Sequence, residues 1–138
     1  MSVPWPWKKR LPGVPAIRML DRRQAWQRGR RAEGLAILAL SLAGYRILAR
    51  NLKNSRGEID IVARRGRMIA FIEVKTRADW NTAAEALAGR QRRRIAGAAA
   101  GFLAARPQLA GYQARFDVVL VVPWRWPRHI INAWRMDD

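Results

Sequence analysis

Apolar and polar positions alternate twice in quick succession in the middle of the chain, over Glu58–Ala63 and Met68–Lys75, on either side of a short glycine-containing turn. Alternation with period two on both sides of such a turn predicts a β-hairpin. Glu58, Asp60 and Val62 then share one face of the first strand, and Phe71, Glu73 and Lys75 share one face of the second. A two-residue type II′ turn at Gly66-Arg67 would pair Arg65 with Met68, set Asp60 opposite Glu73 and place Glu58 opposite Lys75. An Arg65-Gly66 turn slides the pairing by two residues and keeps the same faces. Either way, three acids and a lysine crowd one patch on otherwise hydrophobic strands.

Elsewhere the period changes. From Asp21, a plausible N-cap, to Ala43 the pattern is helical, with Leu35, Leu38 and Leu42 at i, i+3 and i+7 and Gly44 placed to end the helix. Tyr45–Asn51 reads as a strand and Leu52–Arg56 as a polar turn into the hairpin. Thr76–Asn81 reads as a loop. Thr82 can cap a second helix from about Ala83 to Ala105, stopped by Pro107, with Leu87, Ile95, Phe102 and Leu103 toward the sheet. Arg115–Val122 is almost continuously apolar, as in a strand buried on both faces. A strand, a long helix and a second buried strand make a βαβ unit with parallel pairing. Pro123–Pro127 is a turn, and His129–Trp134 fits a final edge strand.

Composition sharpens this picture. A chain of 138 residues, half of them hydrophobic, predicts one folded domain, here residues 21–138. Residues 1–20 carry Pro4, Pro6, Pro12 and Pro15, with Trp5 and Trp7 ahead of Lys8-Lys9-Arg10, and read as a mobile basic arm. Its tryptophans could stack on bases or dock on the domain. The net charge of +17 points to a polyanionic partner, with nucleic acid ahead of an anionic membrane surface or an acidic protein. There is no cysteine, which removes disulfides and thiolate metal sites and suits a reducing cytoplasm. No apolar run is long enough to span a bilayer, and the N-terminus lacks an apolar signal core, so a cytoplasmic protein is expected.

The hairpin patch is where charge and chemistry meet. Of ten acids, three fall between Glu58 and Glu73, where like charge and partial burial are unfavourable together. A divalent cation relieves both, and hard carboxylate oxygens suit Mg²⁺ or Mn²⁺. The plainer alternative is a solvated salt-bridge ladder, which contributes little to stability. Lys75 adds weight to the metal reading, because the chain uses 23 arginines and only four lysines. A lysine beside two acids can hold an attacking water or stabilise phosphate charge. Glu33, the acid within the first helix, has a local explanation as an i, i+3 partner of Arg30. Arg90, Arg92, Arg93 and Arg94 have no interleaved acid and favour phosphate contact over an ordinary solvated face. Asp117 is either a core acid satisfied by a neighbour or an auxiliary site residue. His129 has no second histidine or cysteine nearby in sequence and reads as structural or exposed, not as a ligand.

A helix, three antiparallel strands, a helix and a parallel strand, with Asp60 and Glu73-Val74-Lys75 on adjacent strands, is similar to the PD-(D/E)xK nuclease core. The chain more closely resembles the YraN family of small bacterial endonuclease-like proteins, related in fold to archaeal Holliday-junction resolvases. The resemblance runs from about Gln27 to Trp134 through Arg28-Gly29, Glu33, Gly44-Tyr45, Asn51, Gly57-Glu58-Ile59-Asp60, Phe71–Arg77 and Arg115–Val119. It implies an α/β restriction-endonuclease-like αβββαβ core with a mixed sheet. It implies further that Asp60 and Glu73 ligate Mg²⁺ (or Mn²⁺) with the backbone carbonyl of Val74, that Lys75 positions the water, and that Glu33 assists metal or water. Glu58 belongs to the motif as an auxiliary residue, holding Lys75 or supporting a second metal. Arg30, Arg77, Arg90, Arg92, Arg93 and Arg94 are the candidate nucleic-acid contacts. Two departures stand out: Gln91 occupies a position where the family often has lysine, and Trp80–Thr82 replaces a common glycine.

The function expected is metal-dependent hydrolysis of phosphodiester bonds in DNA, branched or single-stranded, by a protein compatible with a homodimer. The alternative is a nucleic-acid-binding module that keeps the nuclease scaffold without turnover. A basic protein of the membrane surface or the ribosome ranks third.

Overall fold

The computed structural model describes residues 15–76 and 89–135, with side-chain surroundings for 29–76 and 91–135. The elements run α1 (Pro15–Leu42), β1 (Arg46–Asn54), β2 (Gly57–Arg65), β3 (Met68–Thr76), α2 (Gly89–Ala104), a short 3₁₀ turn (Pro107–Leu109), β4 (Gln113–Val121) and β5 (Arg128–Trp134). The five strands form one sheet in chain order, with β3 and β4 parallel and the other neighbours antiparallel. This is the α/β, restriction-endonuclease-like core, a mixed sheet between two helices. Residues 1–14 of the predicted arm, residues 77–88 with Arg77 and the predicted cap Thr82, and the side chain of Arg90 lie outside the described residues.

α1 begins at Pro15, several residues ahead of Asp21. Proline suits a first helical turn because its missing N–H has no intrahelical acceptor there. The helix ends where predicted: Gly44 has φ 91°, its N–H donates to Ser41, and the Tyr45 N–H donates to Leu40. That pair of bonds is a Schellman motif, whose left-handed position favours glycine.

The face that α1 buries is not the leucine stripe. Leu35, Leu38 and Leu42 are 40%, 47% and 72% exposed, whereas Ala32, Ala36 and Leu40 are buried with Glu33 beside them. Alanines at i and i+4 let the helix backbone lie close to the sheet, so small residues mark the interface and the large ones face out. Beneath α1 these side chains meet Tyr45, Ile61, Ala63, Ala70, Ile72, Val119 and Val121. The opposite face of the sheet packs Val62, Ile69, Phe71, Phe116 and Val118 against Ile95, Ala98, Ala99 and Phe102 of α2. Period two thus divides β3 and β4 between two cores, which is why β4 is buried throughout Phe116–Val121.

β1 extends past the predicted turn as far as Asn54. The Asn54 side chain makes the turn itself, its Oδ1 accepting from the N–H groups of Arg56 (3.0 Å) and Gly57 (3.3 Å). Gly57 then passes so near α2 that a Cβ there would collide with the Arg94 carbonyl oxygen. The β2–β3 turn matches the type II′ reading: Arg65 pairs with Met68, Gly66 has φ 61°, and Arg67 has no positive φ. Among the described residues no helix is long and apolar enough to cross a membrane.

Candidate functional site

The β2–β3 ladder runs from Arg65↔Met68 to Ile61↔Ile72 and stops one pair short of Asp60 and Glu73. In the continuing antiparallel pattern the Val74 N–H would donate to the Ile59 carbonyl. It donates instead to the Asp60 carboxylate, Val74 N to Asp60 Oδ2, at 2.8 Å. β2 remains paired with β1 through Leu52↔Ile59, Lys53↔Glu58 and Asn54↔Gly57. β3 remains paired with β4 through Thr76↔Val121. The sheet therefore splits between β2 and β3, and the Asp60 carboxylate sits in the split.

A backbone kink produces it. Asn51, which the register places opposite Asp60, has φ 49°. Asparagine enters this left-handed region more readily than other non-glycine residues. Strict alternation breaks at the same level: Ile61 and Ala63 pack under α1, but Ile59 joins Val62 on the α2 side. The kink also turns the Asn51 amide toward α1, where Nδ2 donates to Glu33 Oε1 at 3.2 Å. Arg50 Nε reaches the same oxygen at 3.5 Å. Glu33 is 8% exposed, so these donors offset much of its burial. The Asn51 contact gives the helical acid a donor from outside its own helix. Gly29, Arg30, Glu33, Asn51, Lys53, Asp60, Glu73, Val74 and Thr76 line one open cleft of about 520 Å³.

On the α2 side, Gln91 joins the two other members of the hairpin patch. Its Nε2 donates to Glu73 Oε1 at 3.2 Å, and its Oε1 accepts from Lys75 Nζ at 3.3 Å. An amide is the neutral group that can donate to an acid and accept from an amine at once. Burial, then the charge and hydrogen bond of Asp60, push the Glu73 carboxyl up to about 8, with Lys75 opposing and Glu58 adding the smallest increment. Without a counter-ion, Glu73 therefore holds a proton at neutral pH.

Most of the predicted patch comes together: Asp60 and Glu73 interact, Lys75 is tied through Gln91, and Glu33 faces the same cleft. Glu58 stands apart. It is exposed and sits across from Lys53 on β1, because the split carries it away from β3. The arginines of α2 also divide. Arg93 and Arg94 are exposed, while Arg92 is half-buried with its guanidinium 5.9 Å from the Trp134 ring centre. Asn51 and Gln91 are the positions that strand parity and charge did not single out as site residues. Their signal in sequence is faint, an amide near an acid, and only the fold brings each to its partner. Among the described residues no three His, Cys, Asp or Glu side chains gather into a ligand cluster, so the acids form a pair with hard oxygen donors.

Asp117 is the other buried acid, fully enclosed on β4. Arg115 donates to it through Nε and Nη2, both at 2.8 Å, and the Asn132 N–H donates at 2.9 Å. His129 Nε2 lies 2.7 Å from Oδ2. Asp117 is thus a core acid satisfied by its neighbours, and His129 is a structural partner.

The chain is 58% identical over 117 residues to a UPF0102 protein of Paramagnetospirillum magneticum, covering 82% of this chain and 91% of the relative. It is 56% identical over 111 residues to one of Parvibaculum lavamentivorans, covering 80% and 84%. Among solved structures it is similar to Hjc, a Holliday junction resolvase of Archaeoglobus fulgidus, with TM-score 0.50, 25% identity and 73% of each chain covered. The model of the uncharacterised protein family UPF0102 matches residues 32–121, and the chain belongs to that family, the YraN family of the sequence reading.

Proposed function

We propose that the protein is a metal-dependent endonuclease acting on DNA. The observation that carries this is the acid pair in the split sheet. Burial, and after it the charge and hydrogen bond of Asp60, push the Glu73 carboxyl up to about 8, and Lys75 stands beside the pair. The similarity to a Holliday junction resolvase supports the same reading and points to branched substrates. Two carboxylates and the Val74 carbonyl offer only hard oxygen donors, as Mg²⁺ or Mn²⁺ requires. When bound, such an ion supplies Lewis acidity and neutralises phosphate charge.

The chain's own residues do the rest. Lys75 positions the attacking water. Gln91 keeps the Lys75 ammonium beside Glu73, so the water, the acid pair and the phosphate meet in one orientation. Glu33, fixed by Asn51, assists metal or water from across the cleft. Glu58 is an auxiliary acid at its margin. Arg30, Arg77, Arg90, Arg92, Arg93 and Arg94 contact the phosphate backbone, in keeping with the +17 net charge. A cytoplasmic location and a homodimer that sets two such centres on a two-fold substrate belong to the same reading.

The test is a cleavage panel of duplex, single strand, flap, four-way junction and RNA with Mg²⁺ or Mn²⁺, using Glu73→Ala as the blank. Metal-dependent products from wild type, lost in Asp60→Ala and Lys75→Ala, are expected. Turnover that survives those variants removes the assignment. The second reading is a non-catalytic binding module on the same scaffold, since a fold does not fix an activity. Calorimetry distinguishes the two, since the module reading expects DNA affinity without Mn²⁺ binding.

A further inference from the structure

The most exposed large apolar side chains outside α1 stand at the edge of the sheet that carries the cleft. β3 and β4 are parallel, with Lys75 level with Leu120 and Thr76 level with Val121. The β4–β5 turn therefore leaves the sheet from the same edge as Glu73 and Lys75. Pro123, Trp124, Arg125 and Trp126 are all exposed, and the buried Pro127 anchors the far side. Trp124 is 101% exposed and Trp126 is 57% exposed.

Two independent features make this turn unusual. An indole held wholly in water is unfavourable, and among the described residues none packs over that of Trp124. Trp124 also has φ 63°, in the left-handed region that a bulky side chain rarely enters. Among the described residues the other non-glycine positions with positive φ are Asn51 and Asn132, of the type that tolerates it. Backbone strain of this kind persists where the surroundings impose it, and it concentrates at binding sites. The turn is closed by the Arg125 N–H donating to the Val122 carbonyl at 3.2 Å, and exposed Arg125 and Arg128 alternate with the indoles.

We infer that Trp124 and Trp126 form a stacking site for unpaired nucleobases, on a strand whose backbone leads to the Asp60–Glu73 centre. The destination of that strand rests on the nuclease reading; the stacking site itself does not. Aromatic faces bind any base, and interleaved arginines track the phosphates, which is how single strands are held without sequence readout. At about 3.3 Å per residue the turn tip lies at most roughly 20 Å beyond Glu73. That distance is on the order of six stacked nucleotides or fewer at about 3.4 Å each. Bases in an intact duplex are already stacked on one another and cannot engage both indoles. The substrate class is therefore DNA with unpaired nucleotides close to the scissile phosphate, at a flap, a single-stranded end or an open junction.

The test uses the full chain without divalent ions and measures anisotropy of labelled single-stranded and fully paired oligonucleotides across salt concentrations. Trp124→Ala with Trp126→Ala is expected to weaken single-strand binding about ten- to a hundred-fold and duplex binding less than about three-fold. The salt slope should stay unchanged, because no phosphate contact is lost. Phenylalanine at both positions should restore most of the affinity. Trp124→Gly should lose affinity while leaving the melting temperature equal or higher, since glycine relieves the left-handed backbone. Equal losses on both oligonucleotides, or none, overturn the inference. So does a loss of binding to anionic phospholipid vesicles with single-strand affinity intact, which would assign the turn to a membrane surface. A chain that never cleaves but keeps the Trp-dependent discrimination removes the nuclease reading and leaves this one standing. A chain that cleaves, with discrimination indifferent to both tryptophans, does the reverse.

Discussion

Two acids of the same sheet, Asp117 buried and Glu73 half-buried, are treated by the protein in opposite ways. Burial raises the carboxyl of Asp117, but hydrogen bonds from His129, Arg115 and the Asn132 N–H outweigh it, and the group titrates below its ordinary 3.8. Burial also raises Glu73, yet the nearest strong influence is another acid, Asp60, and the group rises to about 8. At Asp117 the protein supplies the counter-charge, through a two-pronged guanidinium that also donates to the Tyr45 hydroxyl at 2.6 Å. At Glu73 it supplies a neutral amide and a lysine held at one remove. A satisfied buried acid is architecture. An acid pair left short of positive charge, in a cleft open to solvent, is what the proposed cation would neutralise.

The largest expected effects follow from exchanging the two. Asp117→Ala leaves Arg115 facing the core without its partner and should destabilise the fold by about 3–5 kcal/mol, read from denaturant midpoints. Glu73→Gln should leave the fold as stable as wild type or more so, and reduce metal-dependent turnover on the order of a thousand-fold. If Glu73→Gln unfolds the chain while Asp117→Ala only slows it, the assignments are reversed.

The next effect lies in pH. Below about 4.5, the ordinary value for Glu73, folded and unfolded chains both carry the proton; between there and about 8 only the folded chain does. The unfolded state then binds fewer protons, so stability falls as pH rises through that window. Asp117 runs the other way: its contribution is present above 3.8 and is lost as pH falls further. Metal-free protein should therefore melt a few degrees lower at pH 8 than at pH 5, and Glu73→Gln should flatten that slope. Mn²⁺ should raise the melting temperature more at pH 8 than at pH 5, because it binds the folded chain alone. A flat wild-type profile would mean that Glu73 is already compensated.

A smaller effect tests how the lysine is held. Gln91→Ala should leave stability within about 1 kcal/mol, since a half-exposed amide contributes little. Turnover should fall roughly ten-fold, because Lys75 is no longer tied beside Glu73. Gln91→Glu should recover the contact to Lys75 but add a third acid beside Glu73, and so should lower turnover further in Mg²⁺-poor buffer.

How much of this could be read in the sequence depends on how far each cause reaches along the chain. The hairpin register, the Gly44 helix end and the doubly buried β4 follow from neighbours in sequence, and each is present in the structure. The meeting of Asp60 and Glu73 follows from parity and turn type alone. The split between β2 and β3 does not, because it depends on a kink at Asn51 whose amide is claimed by Glu33 on α1. Gln91 is equally opaque: an amide bridging an acid and an amine has no periodic signature. The leucines of α1 misdirect, since hydrophobicity marks them for burial while close packing selects the alanines. Local pattern located the acids, and tertiary contact decided which of them stay together.

The smallest predicted effect bears on that last point. Asn51 combines a left-handed backbone with a side-chain bond to Glu33. Asn51→Gly removes the bond and relaxes the backbone. Glycine accepts φ 49° without strain, but it frees the unfolded chain, and the two effects offset to within about 1 kcal/mol. The Arg50 contact to Glu33 at 3.5 Å, from a side chain 54% exposed, contributes little in its place. Stability should therefore barely move. Turnover should drop several-fold, because the Glu33 carboxylate loses the donor that aims it into the cleft. Asn51→Asp should cost more on both measures, since it sets a second charge against a buried acid. A melting temperature that collapses in Asn51→Gly, as it should in Asp117→Ala, would move Glu33 from the cleft's chemistry to the architecture that Asp117 represents.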